Sequence, residues 1–322
     1  MLYDALIVGG GPAGLSAALV LGRCRRRVLV CDTGQPRNAG AQAMHGYLSR
    51  DGLPPRELLH LGRVEIARYG VEFLEAEVVS VQRSAEAPFA DDRAGFEVAT
   101  ADGRTHIGRK LLLATGVRDV LPPIEGAERY YGRGVHHCPY CDGWEHRDAS
   151  LVAYGSGRAA IGLALSLRTW SRRVTACTDG RRVDPRDHAR LERNGIALRT
   201  QGVAKLYGSE EVLHGILFED GGRLDCDALF FNTDHLQRSS LPGLLGCKFG
   251  KDGCVITHGK QHTGVDGLFL AGDAAGDVQF VIVAAAEGAR AAVAINRELQ
   301  DEDRGEARPA PRAGTLSAFR RS

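Results

Sequence analysis

Short runs of consecutive apolar residues alternate along this chain with longer segments of helical period. The run "ALIV" reads as a buried strand, "PAGLSAALVLGRC" as an amphipathic helix and "RRVLVCD" as a second strand. The same order returns at Leu151, where "LVAYGSGRAAIGLALSL" predicts strand, turn and helix, and "RRVTACTD" a further strand ending near Asp179. Between the two copies lies a β-rich stretch from Val71 to Ile107, interrupted by an exposed "SAEAPFADDRAG" loop. It closes with "KLLLATG", a strand running into Ala114, Thr115 and Gly116, and "LPPIEG" then reads as a linker. After the second copy, "DALFFNTD" repeats this strand-then-turn shape. "VDGLFLAGDAAG" places Gly272 and Asp273 at a strand end, and a last helix is expected after Asp277. The charged segment from Asp301, with Pro309 and Pro311, reads as a disordered tail or an interaction tail, the former preferred on composition.

The turn "GGGPAG" carries Gly9, Gly11, Pro12, Ala13 and Gly14, a G-x-G-x-x-G pattern between strand and helix. Asp32 follows at the end of the second strand. Each position suits a dinucleotide. The first glycine makes the turn, the second lets backbone approach a pyrophosphate, and the third lets helix pack on strand. The helix N-terminus faces the phosphates, and the acid accepts bonds from a ribose. In the second copy Gly155, Gly157 and Ala160 take the G-x-G-x-x-A form. The expected fold class is therefore α/β, with two Rossmann-like dinucleotide-binding domains. Expected boundaries are 1–117 and 241–300 for a discontinuous first domain, 118–240 for an inserted central one, and 301–322 for the tail.

Composition changes this picture little. The 322 residues are 43% hydrophobic and 25% charged, with a net charge of +1, which points neither to nucleic acid nor to an anionic membrane. The N-terminus lacks a basic signal region, and the C-terminal apolar run carries Glu287 and Arg290, so a cytoplasmic location and no membrane span are expected. In that compartment a close cysteine pair suits metal binding or catalysis better than a structural disulfide.

One such pair exists, in "HHCPYCDGWE", residues 136–145. Locally it is open whether Cys138 and Cys141 are half of a zinc site, part of a structural loop or a redox couple.

The motifs "GGGPAG", "LLLATG", a CxxC followed by Asp-Gly, "GSGRAA" and "GLFLAGDA" occur in this order. This order resembles the low-molecular-weight thioredoxin reductases, a family of FAD flavoproteins, over residues 3 to 300. The resemblance implies that Gly9, Gly11, Gly14 and Asp32 hold the ADP part of FAD and that Thr115 and Gly116 lie beside it. It further implies that Asp273 bonds the ribitol, and that backbone at Gln279 and Phe280 faces the electron-rich edge of the flavin, where a helix N-terminus stabilises negative charge. "CPYCDGWE" and the "QPRNAGAQAMHGYLSRDG" segment, which contains Asn38 and His45, are closer to the dithiol oxidases that close disulfides in natural products such as gliotoxin, holomycin and romidepsin. Asn38 is accordingly expected near the cofactor, and His45 is a weaker candidate for that neighbourhood.

Two departures bear on NAD(P)H, whose binding is expected to be weak. The His-Arg-Arg cluster that grips a 2′-phosphate in the family is replaced by "CTDGRRVD". Arg181 and Arg182 remain, but Asp179 occupies the usual ribose position, where a carboxylate repels an added phosphate. Asp234 stands where a glycine is usual. It either faces a pyrophosphate or tolerates a left-handed turn.

Against this background the redox couple is the preferred reading of Cys138 and Cys141. A structural zinc needs four ligands, and Cys247 and Cys254 sit in a separate segment at another spacing; no metal site is expected. By analogy Cys141 lies nearer the flavin and Cys138 is the sulfur that a substrate thiolate attacks. Asp142 matches the family's acid–base residue, and His136 and His137 are further candidates. Tyr140 and Trp144 either line the substrate opening or pack, and Cys24, Cys31, Cys177 and Cys226 read as small core residues. The expected activity is FAD-dependent oxidation of a small-molecule dithiol, with O₂ as acceptor and peroxide as product, in a homodimer. The alternatives are an NAD(P)H-dependent disulfide reductase and a flavoprotein that binds or senses without turnover.

Overall fold

The computed structural model describes residues 2–84, 94–276 and 278–305. Most of the "SAEAPFADDRAG" loop, Asp277 and positions 306–322 lie outside them.

Two glycine-turn units shape the molecule. In the first, the strand Leu2–Val8 pairs in parallel with Val28–Asp32 on one side and Thr105–Leu113 on the other. Glu72–Glu75 extends the sheet beyond Val28–Asp32, and the C-terminal strand Leu268–Leu270 returns to pair with Thr105–Leu113. Antiparallel strands Val78–Arg83 and Phe96–Thr100 complete this seven-stranded sheet. The first strand is buried on both faces, as expected of a continuous apolar run in a parallel sheet.

The helix Pro12–Arg23 crosses this sheet with a face of Ala13, Gly14, Leu15, Ala17, Ala18 and Leu21. Its small residues permit close approach. A side chain at Gly14 would collide with the Gly9 carbonyl, and one at Gly288 would collide with the backbone of Ala13, so the last helix lies directly against the first. That last helix spans Val281–Asp303.

The second unit is a five-stranded parallel sheet ordered Ala197–Arg199, Arg173–Cys177, Ser150–Tyr154, Ala228–Phe231 and Val135–His136. A three-stranded antiparallel sheet, Val203–Ser209, Val212–Phe218 and Arg223–Asp225, packs beside it. Between the two units runs a two-stranded ribbon, Val117–Asp119 against His235–Gln237. The two dinucleotide-type units expected from the repeated pattern are thus present, the first assembled from both ends of the chain.

Three expectations change. The disorder expected from Asp301 does not hold for the first residues of that segment. The helix continues through Asp303, whose carboxylate meets Arg26 and Arg109, while Glu302 meets Arg109 and Lys110. Cys24 is not a core residue: it is exposed at the end of the first helix, whereas Cys31, Cys177 and Cys226 are buried. Asp234 does not adopt a left-handed turn, being absent from the positive-φ residues, and its side chain is exposed on the connecting ribbon.

Candidate active site

The glycine turn positions the first part of the site. Gly9 has φ +108°, and a side chain there would collide with the Ala114 carbonyl, so the turn and the end of strand Thr105–Leu113 lie in contact. Gly11 is different. It has ordinary extended φ and open space where a side chain would stand, facing the long cavity between the units. Gly9, Gly11, Pro12, Ala13 and Asp32 line that cavity, while Gly14 lies behind them in the packing. Asp32 accepts bonds from Gly34 N (3.1 Å) and Arg63 (3.2 Å), both on Oδ2, which leaves Oδ1 for a ribose hydroxyl.

Farther along, Asn38, Ala114, Thr115 and Gly116 line the cavity, as do Gly272, Asp273, Gln279 and Phe280. The Thr115 hydroxyl is buried without a hydrogen-bond partner in the protein. Phe280 caps the helix Val281–Asp303 without a side-chain bond, and Gln279, Phe280, Val281 and Ala284 at the start of that helix line the cavity.

The cysteine pair enters from the second unit. Cys138 caps a single helical turn, Pro139–Asp142, and its carbonyl accepts bonds from Cys141 N (3.1 Å) and Asp142 N (3.2 Å). This tight turn, with Pro139 setting its first φ, brings the two sulfurs into a disulfide. Gly143 is required where it stands, because a side chain there would strike the Trp170 ring. Cys141 and Asp142 line the same cavity as the glycine turn; Cys138 does not. His136 and His137 line it as well. Of the two aromatic side chains near the pair, Tyr140 is 72% exposed and edge-on to Trp170, and Trp144 is 65% exposed beneath Arg147. His45 reaches the cavity and bridges Asp51 and Glu145, each at 3.5 Å.

The two histidines before the pair belong to different networks. His136 is buried, with Nδ1 3.2 Å from Asp142. His137 lies 3.3 Å from Arg37 through Nε2 and 2.9 Å from the Tyr131 hydroxyl through Nδ1. A guanidinium has only donors, so His137 Nε2 must accept. Its proton then sits on Nδ1 and is donated to Tyr131, whose own hydroxyl donates to Asp119 at 2.7 Å. Burial, assisted by Arg37 and opposed by Asp119, holds His137 below the usual imidazole range. With both nitrogens engaged it has no free lone pair for a substrate proton, so the expectation that it serves as a base does not fit this arrangement.

The sequence reading missed Arg37, Asp119 and Tyr131. Arg37 donates to Asp119, to Asp273 at 2.9 Å and to Gln279 at 2.7 Å. Asp273 therefore has one oxygen committed to Arg37 and only the other left for a ligand hydroxyl. Burial opposes the charge of Asp119, but Arg37, His137 and Tyr131 outweigh it and keep the carboxyl below its usual range. The one signal that could have found this cluster was a lone arginine in the "QPRNAG" loop.

The Asp179 carboxylate accepts bonds from the Tyr154 hydroxyl (2.7 Å) and Val203 N (2.9 Å), at a residue with φ +50°. These bonds tie the carboxylate, which stays partly exposed, to two strands of the second unit.

Two glycine-turn units with a redox disulfide facing the cavity of the first define a disulfide oxidoreductase of the two-dinucleotide-domain class. Residues 3–288 match the pyridine nucleotide-disulphide oxidoreductase family, and the chain belongs to it. It is 34% identical to the thioredoxin reductase tcpT of Claviceps purpurea, over 84% of this chain and 86% of that one. It is also similar to the crystal structure of HlmI, with TM-score 0.87, 36% identity and 94% of each chain covered. An oxidoreductase structure from Agrobacterium tumefaciens matches with TM-score 0.85 and 32% identity, over 93% of this chain and 99% of that one. The resemblance to thioredoxin reductases read from the motifs is thereby confirmed. The open space at Gly11, the unpartnered Thr115 hydroxyl and the free Oδ1 of Asp32 fit FAD, the cofactor of thioredoxin reductase-like members of this family. Among the described residues no helix is long and apolar enough to cross a membrane.

Proposed function

We propose that this protein is an FAD-dependent dithiol oxidase that closes a disulfide in a small-molecule dithiol and passes the electrons to O₂ as peroxide. The observation that carries the reading is the asymmetry of the redox pair: Cys141 lines the cofactor cavity and Cys138 does not. An outer sulfur open to a small thiolate and an inner sulfur against the cofactor divide the two steps between the two cysteines.

Gly11, Asp32, Thr115, Asp273 and the N-terminus of helix Val281–Asp303 would hold FAD. When bound, it supplies the two-electron acceptor for the reduced pair and the electron donor to O₂. The protein's own part is thiol chemistry. A substrate thiol gives its proton to Asp142. The resulting thiolate attacks Cys138 Sγ, the Cys138–Cys141 bond breaks, and its electron pair leaves on Cys141. The second substrate thiolate then attacks the sulfur bound to Cys138 and releases the cyclic disulfide. The sum is HS–R–SH + O₂ → RS₂ + H₂O₂. Arg37, through Asp273 and Gln279, orients the side chains along the cofactor; His136 steadies Asp142. A homodimer is the expected assembly, checked by sedimentation.

The second reading, an NAD(P)H-dependent disulfide reductase, draws on the thioredoxin reductase named above. Anaerobic mixing decides. The oxidase reading expects a small dithiol to bleach the flavin rapidly and NADPH to do so slowly or not at all. In air, it expects one peroxide per disulfide. Rapid bleaching by micromolar NADPH, followed by reduction of a thioredoxin-like disulfide, would reverse the choice.

A further inference from the structure

Asp142 is linked, through a buried histidine of the cavity wall, to a partly exposed histidine outside the cavity lining. His136 Nδ1 is 3.2 Å from Asp142, and His136 Nε2 is 3.0 Å from Nε2 of His146. His136 is buried against Phe230, with ring centroids 5.3 Å apart, and is 5% exposed. His146 is partly exposed and does not line the cavity. The three side chains therefore run from the acid beside Cys141, along the cavity wall, to a partly exposed residue outside the cavity lining.

We propose that Asp142, His136 and His146 form a proton relay that exchanges the substrate's thiol protons with solvent, making His146 a positioning residue for the thiol chemistry. The inference rests on the thiol–disulfide step of the function proposed above. It requires no choice of final electron acceptor.

Hydrogen-bond bookkeeping supports it. Every donor meets an acceptor in two patterns. In one, Asp142 is ionised, His136 donates from Nδ1, and its Nε2 accepts from His146. In the other, Asp142 is protonated and donates to His136 Nδ1, His136 donates from Nε2, and His146 carries its proton on Nδ1. The two differ by one proton taken up or lost. Two hydrogens sliding along the two existing bonds, with a third exchanged with solvent at His146 Nδ1, interconvert them, and no buried charge is left isolated on His136. Each dithiol oxidised releases two protons to this acid, so a path from Asp142 to solvent serves the cycle whatever the final electron acceptor.

The surroundings of His146 suit a neutral imidazole. Burial first, and the adjacent His136 second, hold His146 below the usual range, while Asp142, Glu145 and Asp227 pull the other way. The groups facing His136 are Asp142 and His146.

The test is rapid mixing of the anaerobic flavin-loaded protein with dithiothreitol, following the appearance of free Cys138 and Cys141 by quenched alkylation and mass. For His146→Ala the relay expects a rate about tenfold below the parent, since general acid–base assistance is worth more than that. Added imidazole should restore the rate, and its pH dependence should move. His146→Gln, which keeps a side-chain polar group but cannot relay, should be equally slow and equally rescued, with normal flavin content and melting temperature. A parental rate in both variants overturns the relay. So does a loss in both that imidazole fails to restore, because that marks a structural role. Absence of peroxide formation by the parent would instead sink the oxidase reading and leave this rate measurement standing.

Discussion

Arg37 and Asp119 grip each other across the boundary between the first unit and the connecting ribbon, with Arg37 Nε 3.0 Å from Asp119 Oδ2 and a second, shorter contact to Oδ1. Both side chains are largely buried, 15% and 5% exposed. The same guanidinium reaches Asp273, Gln279 and His137, so one residue of a loop ties together parts of the site that come from four places in the chain.

Removing this arginine should be costly. Arg37→Met leaves Asp119 buried beside Tyr131 with its charge uncompensated, a situation that costs about 3 kcal/mol. A lower melting temperature and weaker flavin retention are expected. The second change Asp119→Asn should recover much of the stability, because it removes the orphaned charge. Equal melting temperatures for Arg37→Met and the parent would show that the pair contributes nothing.

Stability should fall on mild acidification. Burial depresses the imidazoles of His137, His146 and His235 in the folded chain. In the unfolded chain they titrate near ~6.5. Below that pH the unfolded state binds more protons than the folded state, so stability declines as pH drops toward and through the depressed folded values. Denaturant midpoints should therefore be lower at pH 5.5 than at pH 7.5, and His137→Asn should flatten the slope. A pH-independent midpoint across this window contradicts the burial argument.

The two glycines of the first turn should fail in different ways. Gly14→Ala puts a methyl into the Gly9 carbonyl and should destabilise the fold by about 3 kcal/mol or more. Gly11→Val meets open space and an ordinary backbone conformation, so the chain should fold. Its side chain would then occupy the volume meant for a pyrophosphate. Melting curves and flavin content of the two purified proteins distinguish the cases; full flavin uptake by Gly11→Val would remove Gly11 from the cofactor site.

The cysteines should separate by spectrum. Cys138→Ser leaves the Cys141 sulfur facing the cavity, and a long-wavelength absorbance band from thiolate against oxidised flavin is expected. Cys141→Ser should lack the band, and both variants should lose dithiol turnover. Appearance of the band only in Cys141→Ser would mean that the roles are exchanged.

The local grammar of the chain determined the two units. Apolar runs of strand length, glycines where a side chain would strike backbone, and a helix face of alanines leave few other ways to pack, so "GGGPAG" and "GSGRAA" each appear where the pattern put them. The tight turn of Cys138 and Cys141 was equally local, because Pro139 and two intervening residues suffice to close it. What the chain could not show was which distant groups would meet. Arg37, Asp119 and Tyr131 carry no motif, and His136 and His137 are adjacent in sequence yet belong to different networks. Successive residues of a strand point to opposite faces, and at the end of Val135–His136 that geometry sends one histidine toward Asp142 and His146 and the next toward Arg37. Asp179 was legible only in part for the same reason: its place after the strand could be read, but its bonds to Tyr154 and Val203 depended on a strand that follows it by more than twenty residues. Short-range sterics write themselves into a sequence; the pairing of charges depends on packing, and only the tertiary structure decided it.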